Sequence, residues 1–340
     1  MIQIDDLYSE EFKELYFEKV KTEFGKIIKT DNGVIRWNKG NVTDLLNKIK
    51  EIIGSTKYSE IFTGDKPLKK FRQLVLLPPD KLKELSEIIN YRIERKKVTK
   101  KIFERKSIQR LKAVYTDGGI LSKQKINNQK INTLMIDQLN INVCPYCNRN
   151  YINTRVDIEN PSKSSFGAQM DHFYSKNKYP IFSVCLYNFI PVCSVCNLIK
   201  RRTDFKVFPF LEDEEKKHEV RFNYRYSNLD EIELYFETSD EREADMNTIK
   251  LGEAYAIHRL DVKNMLIREE HYSKSYREEL RDLFRYNGEL GNNVFQLSLA
   301  DDEIDRMIFG DSVFEEDIKN ISLGKFKKDI YQEIKSLRDY

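Results

Sequence analysis

The sequence predicts a mainly α-helical protein with a small α+β insertion in its middle. Apolar residues recur every three to five positions over residues 5–29, 43–53 and 79–95, which is the period of an amphipathic helix. Helical spacing returns from residue 249 onward. Between these regions, two short cysteine pairs bracket a segment rich in turn residues, and residues 220–236 alternate between apolar and polar side chains as strands do.

The N-terminal region, residues 1–130, is expected to be helical and to end in a basic stripe. Residues 92–130 contain thirteen Lys or Arg and only three acidic residues. Taken alone, such a charge run is more often a solvated helix face. Next to a segment that binds nucleic acid, the same stripe would contact phosphates.

The middle region, residues 131–212, opens with a short predicted helix at 132–139 and holds the two C-x2-C pairs. Pairs of this kind, separated by 45 residues, have the spacing of a structural zinc site closed by four thiolates. One C-x2-C pair also suits a thiol–disulfide enzyme, but the polar, strand-like segment 148–156 follows it. We therefore predict zinc ligation by four residues: Cys144, Cys147, Cys193 and Cys196.

The fifth cysteine, Cys185, lies in an apolar stretch and is predicted to be a buried small hydrophobe. The C-terminal region, residues 213–340, is predicted to form two short strands over 220–236 and then helices. Glycines at 288 and 291 interrupt the helical pattern before a last pair of helices.

Composition narrows the class of protein. The chain has 340 residues and a net charge of +3, so its length suits about two domains, and electrostatic arguments have to be local. No apolar run approaches the roughly 18 residues that span a bilayer, and the acidic N-terminus lacks the layout of a secretory signal. We expect a cytoplasmic protein that does not bind membranes.

Three polar residues in the bracketed segment have the chemistry of a hydrolytic site. His172 is of the type that serves as a general base near neutral pH. Asp171, directly before it, and Asn197, directly after the last cysteine, offer oxygen ligands to a hard divalent cation such as Mg²⁺ or Mn²⁺. Together these residue types favour metal-dependent cleavage of a phosphodiester.

The segments 171–180, 186–193 and 196–200 resemble the HNH endonuclease family over about residues 141–210. The resemblance implies the ββα-metal fold in its zinc-stabilised form, as a module between helical N- and C-terminal regions. It assigns general-base catalysis to His172, cation binding to Asp171 and Asn197, and bracing of the histidine loop to Asn188. A simple turn residue is an equally good interpretation of Asn188.

Basic residues near this segment are candidates for contacting nucleic acid. A helix over residues 197–202 would place Asn197 and either Lys200 or Arg201 on one face. The predicted phosphate contacts are Lys176, Lys178, Lys200, Arg201 and Arg202, although exposed loop lysines usually lack a specific partner.

Three functional alternatives stay open. DNA is the expected substrate, but the same site could cut RNA, for example transfer RNA. A zinc-stabilised nucleic-acid-binding module without activity is the second alternative, and a thiol–disulfide enzyme is the third. Residues 308–310, 323–325 and 328–330 resemble the tail of bacterial HNH proteins, some of which act in phage defence. That likeness implies a regulatory or sensor partner such as an ATPase.

Overall fold

The structure is a computed structural model, and it describes most of the chain. The described residues are 3–5, 7–25, 39–56, 58, 62, 66–155, 157, 159–160, 167–211, 217–228, 231–284, 286–290, 293–297, 299–314 and 318–338. They form two compact units. One comprises Ile2–Tyr146 and Asn150–Glu214, and the other comprises Glu215–Tyr340 together with Cys147–Arg149. The boundary between the units, near residue 214, lies close to residue 212, the expected end of the middle region. Residue 130, the expected end of the N-terminal region, lies inside the first unit.

Within the described residues, the first unit is mostly helical and contains two small two-stranded antiparallel sheets. Its helices are α1 Glu10–Gly25, α2 Lys39–Ile53, α3 Pro67–Val75, α4 Pro79–Glu94, α5 Lys106–Thr116, α6 Ile131–Leu139 and α7 Ser194–Lys200. Its strands are β1 Lys125–Ile126, β2 Gln129–Lys130, β3 Gln169–His172 and β4 Phe189–Val192.

The helices predicted at 5–29, 43–53, 79–95 and 132–139 correspond to α1, α2, α4 and α6. The predicted end of the first helix, residues 26–29, lies outside the described residues. Buried apolar side chains explain the amphipathic period: in α1 these are Phe12, Tyr16, Phe17, Val20 and Phe24.

The N-terminal helices pack against the loop that joins β3 to β4. From α1, Tyr16 donates a hydrogen bond through its hydroxyl to the Val184 carbonyl at 2.9 Å. The Cys185 thiol donates to the Leu74 carbonyl at the end of α3 at 3.1 Å. Because α1 and α3 each hydrogen-bond to this loop, the N-terminal helices help to position the residues that the loop carries.

Strands β3 and β4 pair antiparallel, and α7 follows β4 directly. Asp171 lies opposite Ile190 and His172 opposite Phe189 in the register. The Cys193 sulfur accepts the Cys196 backbone N–H at 3.5 Å, which caps the start of α7. The local order is therefore strand, strand, helix.

The second unit contains two further hairpins and six helices within the described residues. The strands are β5 Arg221–Asn228, β6 Glu231–Glu237, β7 Tyr286–Leu290 and β8 Asn293–Leu297. The helices are α8 Asp240–Thr248, α9 Leu251–Tyr255, α10 Arg259–His271, α11 Lys274–Leu283, α12 Asp301–Phe309 and α13 Gly324–Ser336. The predicted strands over 220–236 match β5 and β6, and the predicted helix break near Gly288 is the hairpin β7–β8.

A buried aromatic cluster and a buried ion network hold the second unit. The rings of Phe222, Tyr255 and Phe326 pack together with centroids 4.3–5.5 Å apart. The fully buried Asp305 binds the guanidinium groups of Arg277 and Arg338. Buried carboxylates need such partners, since an unpaired buried charge costs several kcal/mol.

One expectation, on the segment after the first cysteine pair, differs from the structure. The described part of the strand-like segment 148–156 forms isolated bridges rather than a strand: Tyr151 pairs with Val143, and Arg155 is also a bridge residue. Asn148, at the start of the segment, adopts a positive φ of 50° and lies outside the extended region. The mainly α class with a small β part is confirmed. Within the described residues, no helix combines the length and apolar character needed to cross a membrane.

Candidate functional site

The four predicted zinc ligands form one buried cluster. Their sulfur atoms all lie within 4.8 Å of one another, and none of the four side chains is disulfide-bonded. The Asn150 amide donates a hydrogen bond to the Cys193 sulfur at 3.3 Å. N–H donors directed at sulfur stabilise the thiolate form that binds metals.

This cluster fits a tetrahedral metal ion. Four thiolates around zinc, each at about 2.3 Å, place neighbouring sulfurs about 3.8 Å apart, which agrees with the observed clustering. A thiol–disulfide enzyme needs an exposed attacking thiol, whereas all four thiols here are buried. The cysteines can therefore hold a structural metal such as zinc.

His172 is the last residue of β3, and its side chain packs against two aromatic rings. The Tyr115 ring meets the imidazole edge-on at 4.4 Å, and the Phe189 ring lies 4.8 Å away. The Nε2 atom lies 3.1 Å from the Ser183 carbonyl oxygen. A carbonyl oxygen only accepts hydrogen bonds, so Nε2 carries the proton and the basic lone pair resides on Nδ1.

Burial is the main reason that the pKa of His172 falls from 6.5 to about 3, and the Lys176 and Lys200 ammonium groups lower it further. The hydrogen bond to the Ser183 carbonyl opposes this shift. The imidazole is consequently neutral at neutral pH, which is the state that a proton acceptor requires.

Asp171 forms a buried ion pair with Lys200. The Lys200 ammonium lies 2.8 Å from Oδ2 of Asp171, and the side chains are 1% and 4% exposed. The Tyr146 hydroxyl donates to the same oxygen at 2.8 Å. Oδ2 is thus occupied from two sides, and Oδ1 is the oxygen better placed to serve another ligand.

Lys200 is placed differently from the expected phosphate contact. Helix α7 ends at Lys200, and Arg201 takes a positive φ of 51° immediately after it. Lys200 turns inward at this point, toward Asp171 and within 3.5 Å of the His172 carbonyl oxygen. The predicted helix over 197–202 therefore begins earlier and ends earlier than expected, and its lysine belongs to the interior of the site.

Asn197 lies on α7 beside β3. Its amide nitrogen donates to Oε1 of Gln169 at 2.6 Å, an orientation that leaves Oδ1 as the atom able to bind a cation. Asn197, Asp171 and His172 all line one open cleft of about 1030 Å³. The three predicted polar residues are thus brought together.

The Asn188 side chain is fully buried, and its amide both accepts and donates hydrogen bonds to the backbone of the loop. Its Oδ1 accepts the Tyr174 N–H at 2.8 Å, and its Nδ2 donates to the carbonyls of Tyr174 and Phe182 at 3.0 and 3.1 Å. The Asn188 carbonyl accepts the N–H of Phe173, the residue after His172. These bonds favour the bracing interpretation of Asn188 over a simple turn residue.

Of the other four predicted phosphate contacts, three line the cleft and the fourth, Lys178, does not. Lys176, Arg201 and Arg202 line it, and Lys176 places its ammonium 4.3 Å from the centre of the Tyr115 ring. Lys178 forms an ion pair with Asp204 at 2.6 Å. Arg201 and Arg202 are exposed. The cleft therefore has a basic rim.

Several site residues were not identified from the sequence. Tyr115 and Tyr146 contact the Asp–His pair from positions 57 and 25 residues away, and Ser183 supplies a backbone carbonyl that no side-chain pattern reveals. Gln169 precedes Asp171 by two positions, and strand periodicity places both on one face of β3. Only Gln169 could have been found from sequence spacing.

Comparisons of this chain with protein-family models, with curated proteins and with solved structures found no match.

Proposed function

We propose that this chain is a metal-dependent endonuclease of the HNH type that hydrolyses phosphodiester bonds of DNA. The observation that supports it best is the meeting of Asp171, His172 and Asn197 in one basic-rimmed cleft. A neutral imidazole, a carboxylate and a carboxamide beside cationic side chains suit a phosphate diester and an attacking water.

In this proposal His172 takes the proton from water through Nδ1. The Ser183 carbonyl fixes the ring orientation through Nε2–H, and the rings of the half-buried Tyr115 and the buried Phe189 limit rotation of the imidazole. A free-protein pKa of about 3 makes a weak base. The negative charge of a bound phosphate opposes the nearby lysines and raises the pKa of His172, so base strength develops with substrate in place.

Asp171 and Asn197 would hold the catalytic cation through oxygen atoms. Mg²⁺ or Mn²⁺ fits this donor set, since both ions prefer oxygen ligands and retain waters. When bound, the cation supplies charge stabilisation for the scissile phosphate and the leaving oxygen. Because Lys200 already neutralises Asp171, the protein alone presents little negative charge, and substrate phosphate completes the binding site.

We assign the buried cysteine cluster to one structural zinc ion. Four thiolates leave no open coordination position, so this ion has no direct role in hydrolysis. Its position at the start of α7, between Cys193 and Asn197, makes the cluster an anchor for the helix that carries Asn197.

A cleavage assay on plasmid, single-stranded DNA and transfer RNA, with and without Mg²⁺, tests the proposal. We expect Mg²⁺-dependent DNA cleavage that falls at least about a hundredfold in His172→Ala, the usual scale for loss of a general base. His271→Ala, at an exposed histidine in the other unit, is the matched control and should cut normally. Equal cleavage by both variants would refute the base assignment.

The same assay separates the alternatives. Preference for transfer RNA would replace DNA as the substrate while keeping the chemistry. Salt-dependent binding of nucleic acid without cleavage, at full zinc content, would instead identify a non-catalytic binding module.

A further inference from the structure

A second cleft lies in the same unit, beside the catalytic one. It is lined by the end of α4, the short 3₁₀ helix Lys100–Glu104, helix α5 and the loop after His172. Six of its lining residues are cations: Lys100, Lys112, Lys176, Lys178, Arg202 and Lys206.

The two clefts share a wall. Ser175, Lys176, Asn177 and Arg202 line both of them. Lys176 stacks over the Tyr115 ring, and that ring contacts the imidazole of His172. A chain that passes over the 175–177 loop therefore runs from the second cleft to the catalytic residues.

The cations that line the second cleft outnumber the carboxylates there. Glu94 and Glu104 are its acidic lining residues, and Asp204 pairs with Lys178. Lys112 donates its hydrogen bond to the neutral amide of Asn177 at 2.7 Å. The excess positive charge is thus retained in the free protein.

Lys176 on the shared wall and Lys112 in the second cleft are close enough for their positive charges to repel. Burial, and next the charge of Lys112, lower the pKa of Lys176. The electrostatic repulsion between two neighbouring positive charges decreases when an anion binds to them. A polyanion with regularly spaced phosphates can contact several of these cations at once.

We propose that the second cleft binds the phosphodiester backbone of DNA on one side of the cleavage point. Lys100, Lys112 and Lys206, which line only this cleft, contact phosphates there and take no part in the chemistry. This inference rests on the proposed function, since it extends the substrate path from that site. It also places two cations of the basic stripe 92–130, Lys100 and Lys112, on the substrate.

The test is DNA binding by fluorescence anisotropy at 50–200 mM salt, in a His172→Ala background that binds without cutting. The variant is Lys100→Gln/Lys112→Gln/Lys206→Gln, in which the amide at 112 can still donate a hydrogen bond. The charge-matched control is Lys50→Gln/Lys69→Gln/Lys83→Gln, at exposed lysines of the same unit outside both clefts.

We expect the triple variant to bind DNA at least tenfold more weakly. The slope of log affinity against log salt should become less steep by about 2 to 3, because each lost phosphate contact removes about 0.7 to 0.9. The control should change affinity less than twofold. Equal weakening in both triples would show a net-charge effect and overturn the proposal, as would an unchanged slope or no DNA binding by the parent protein.

Two further readouts separate this inference from the proposed function. In the active background, the triple variant should raise KM for plasmid and leave kcat within about twofold. If no nucleic acid is cut, the proposed activity fails while the binding result still decides the second cleft. If only RNA shows the slope change, the cleft binds RNA, and the DNA assignment is overturned.

Discussion

The buried imidazole of His172 predicts a measurable dependence of stability on pH. The folded-state pKa is about 3 and the ordinary value is 6.5. As the pH falls below 6.5, the unfolded chain binds a proton that the folded chain does not accept, so stability is lost from pH 6.5 down to about 3. His172→Gln removes this titration and keeps an amide able to donate to the Ser183 carbonyl.

The magnitude follows from the two pKa values. At pH 5 the His172 contribution to the free energy of unfolding is lower by about 2 kcal/mol than at pH 8, since each full pKa unit corresponds to about 1.4 kcal/mol. His172→Gln should therefore lose about 2 kcal/mol less than the parent between these pH values. Other titrating groups, including the thiolates, affect both proteins alike and cancel in the difference.

The assay is urea unfolding of both proteins at pH 8, 7, 6 and 5 with equal zinc. Histidine NMR titration gives an independent readout: the resonance missing from His172→Gln should not titrate between pH 8 and 5. Parallel stability curves for the two proteins, or a His172 resonance that titrates near 6.5, would show that the imidazole is not held neutral by burial. The argument for a desolvated base would then be wrong.

Three other predictions concern the support of the site. Lys200→Met should destabilise the protein by about 3–5 kcal/mol, because it leaves the Asp171 carboxylate buried and without its ion-pair partner. Adding Asp171→Asn to that variant should recover much of the lost free energy of unfolding, measured by urea unfolding. Failure to recover it would count against the ion pair. Asn188→Ala should cost about 3 kcal/mol, since three buried backbone groups lose a partner, whereas Asn47→Ala, at an exposed position of α2, should change stability by less than about 0.5 kcal/mol; equal effects would exclude bracing. Metal analysis should find one zinc per chain, and its removal by a chelator should abolish cooperative unfolding of the site-bearing unit; zinc-free protein with unchanged unfolding would refute the structural role.

The local pattern of apolar and polar residues was sufficient to predict many of the helices and strands. Helices such as α2 and α4 bury one face, so their apolar residues recur at the helical period. The sequence of the β5–β6 hairpin alternates between apolar and polar residues, as expected for paired strands. The cysteine cluster was equally predictable, because metal ligands have characteristic spacing. These features are encoded within short windows of sequence.

The parts of the site that were missed depend on contacts between distant segments. Nothing near Tyr115 indicates that its ring will lie against His172, since that contact joins α5 to β3 across the unit. Lys200 looked like a surface cation because a charged residue at the end of a short helix is usually exposed. Its burial follows from Asp171, a partner 29 residues earlier whose side chain points to the same interior.

The buried ion pair with Lys200 offsets the negative charge of Asp171 next to His172 in the proposed active site. A free carboxylate beside His172 would raise its pKa and would repel an incoming phosphate, whereas Asp171 bonded to Lys200 and Tyr146 does neither strongly. The imidazole is kept neutral by burial and by the nearby lysines. Under the proposed function, the cleft would present a positive rim to a phosphodiester, and the negative charge that both the base and the cation need would arrive with the substrate. A site built this way would be nearly inert without nucleic acid, because neither His172 nor the Asp171–Asn197 oxygens reach full strength until phosphate is bound.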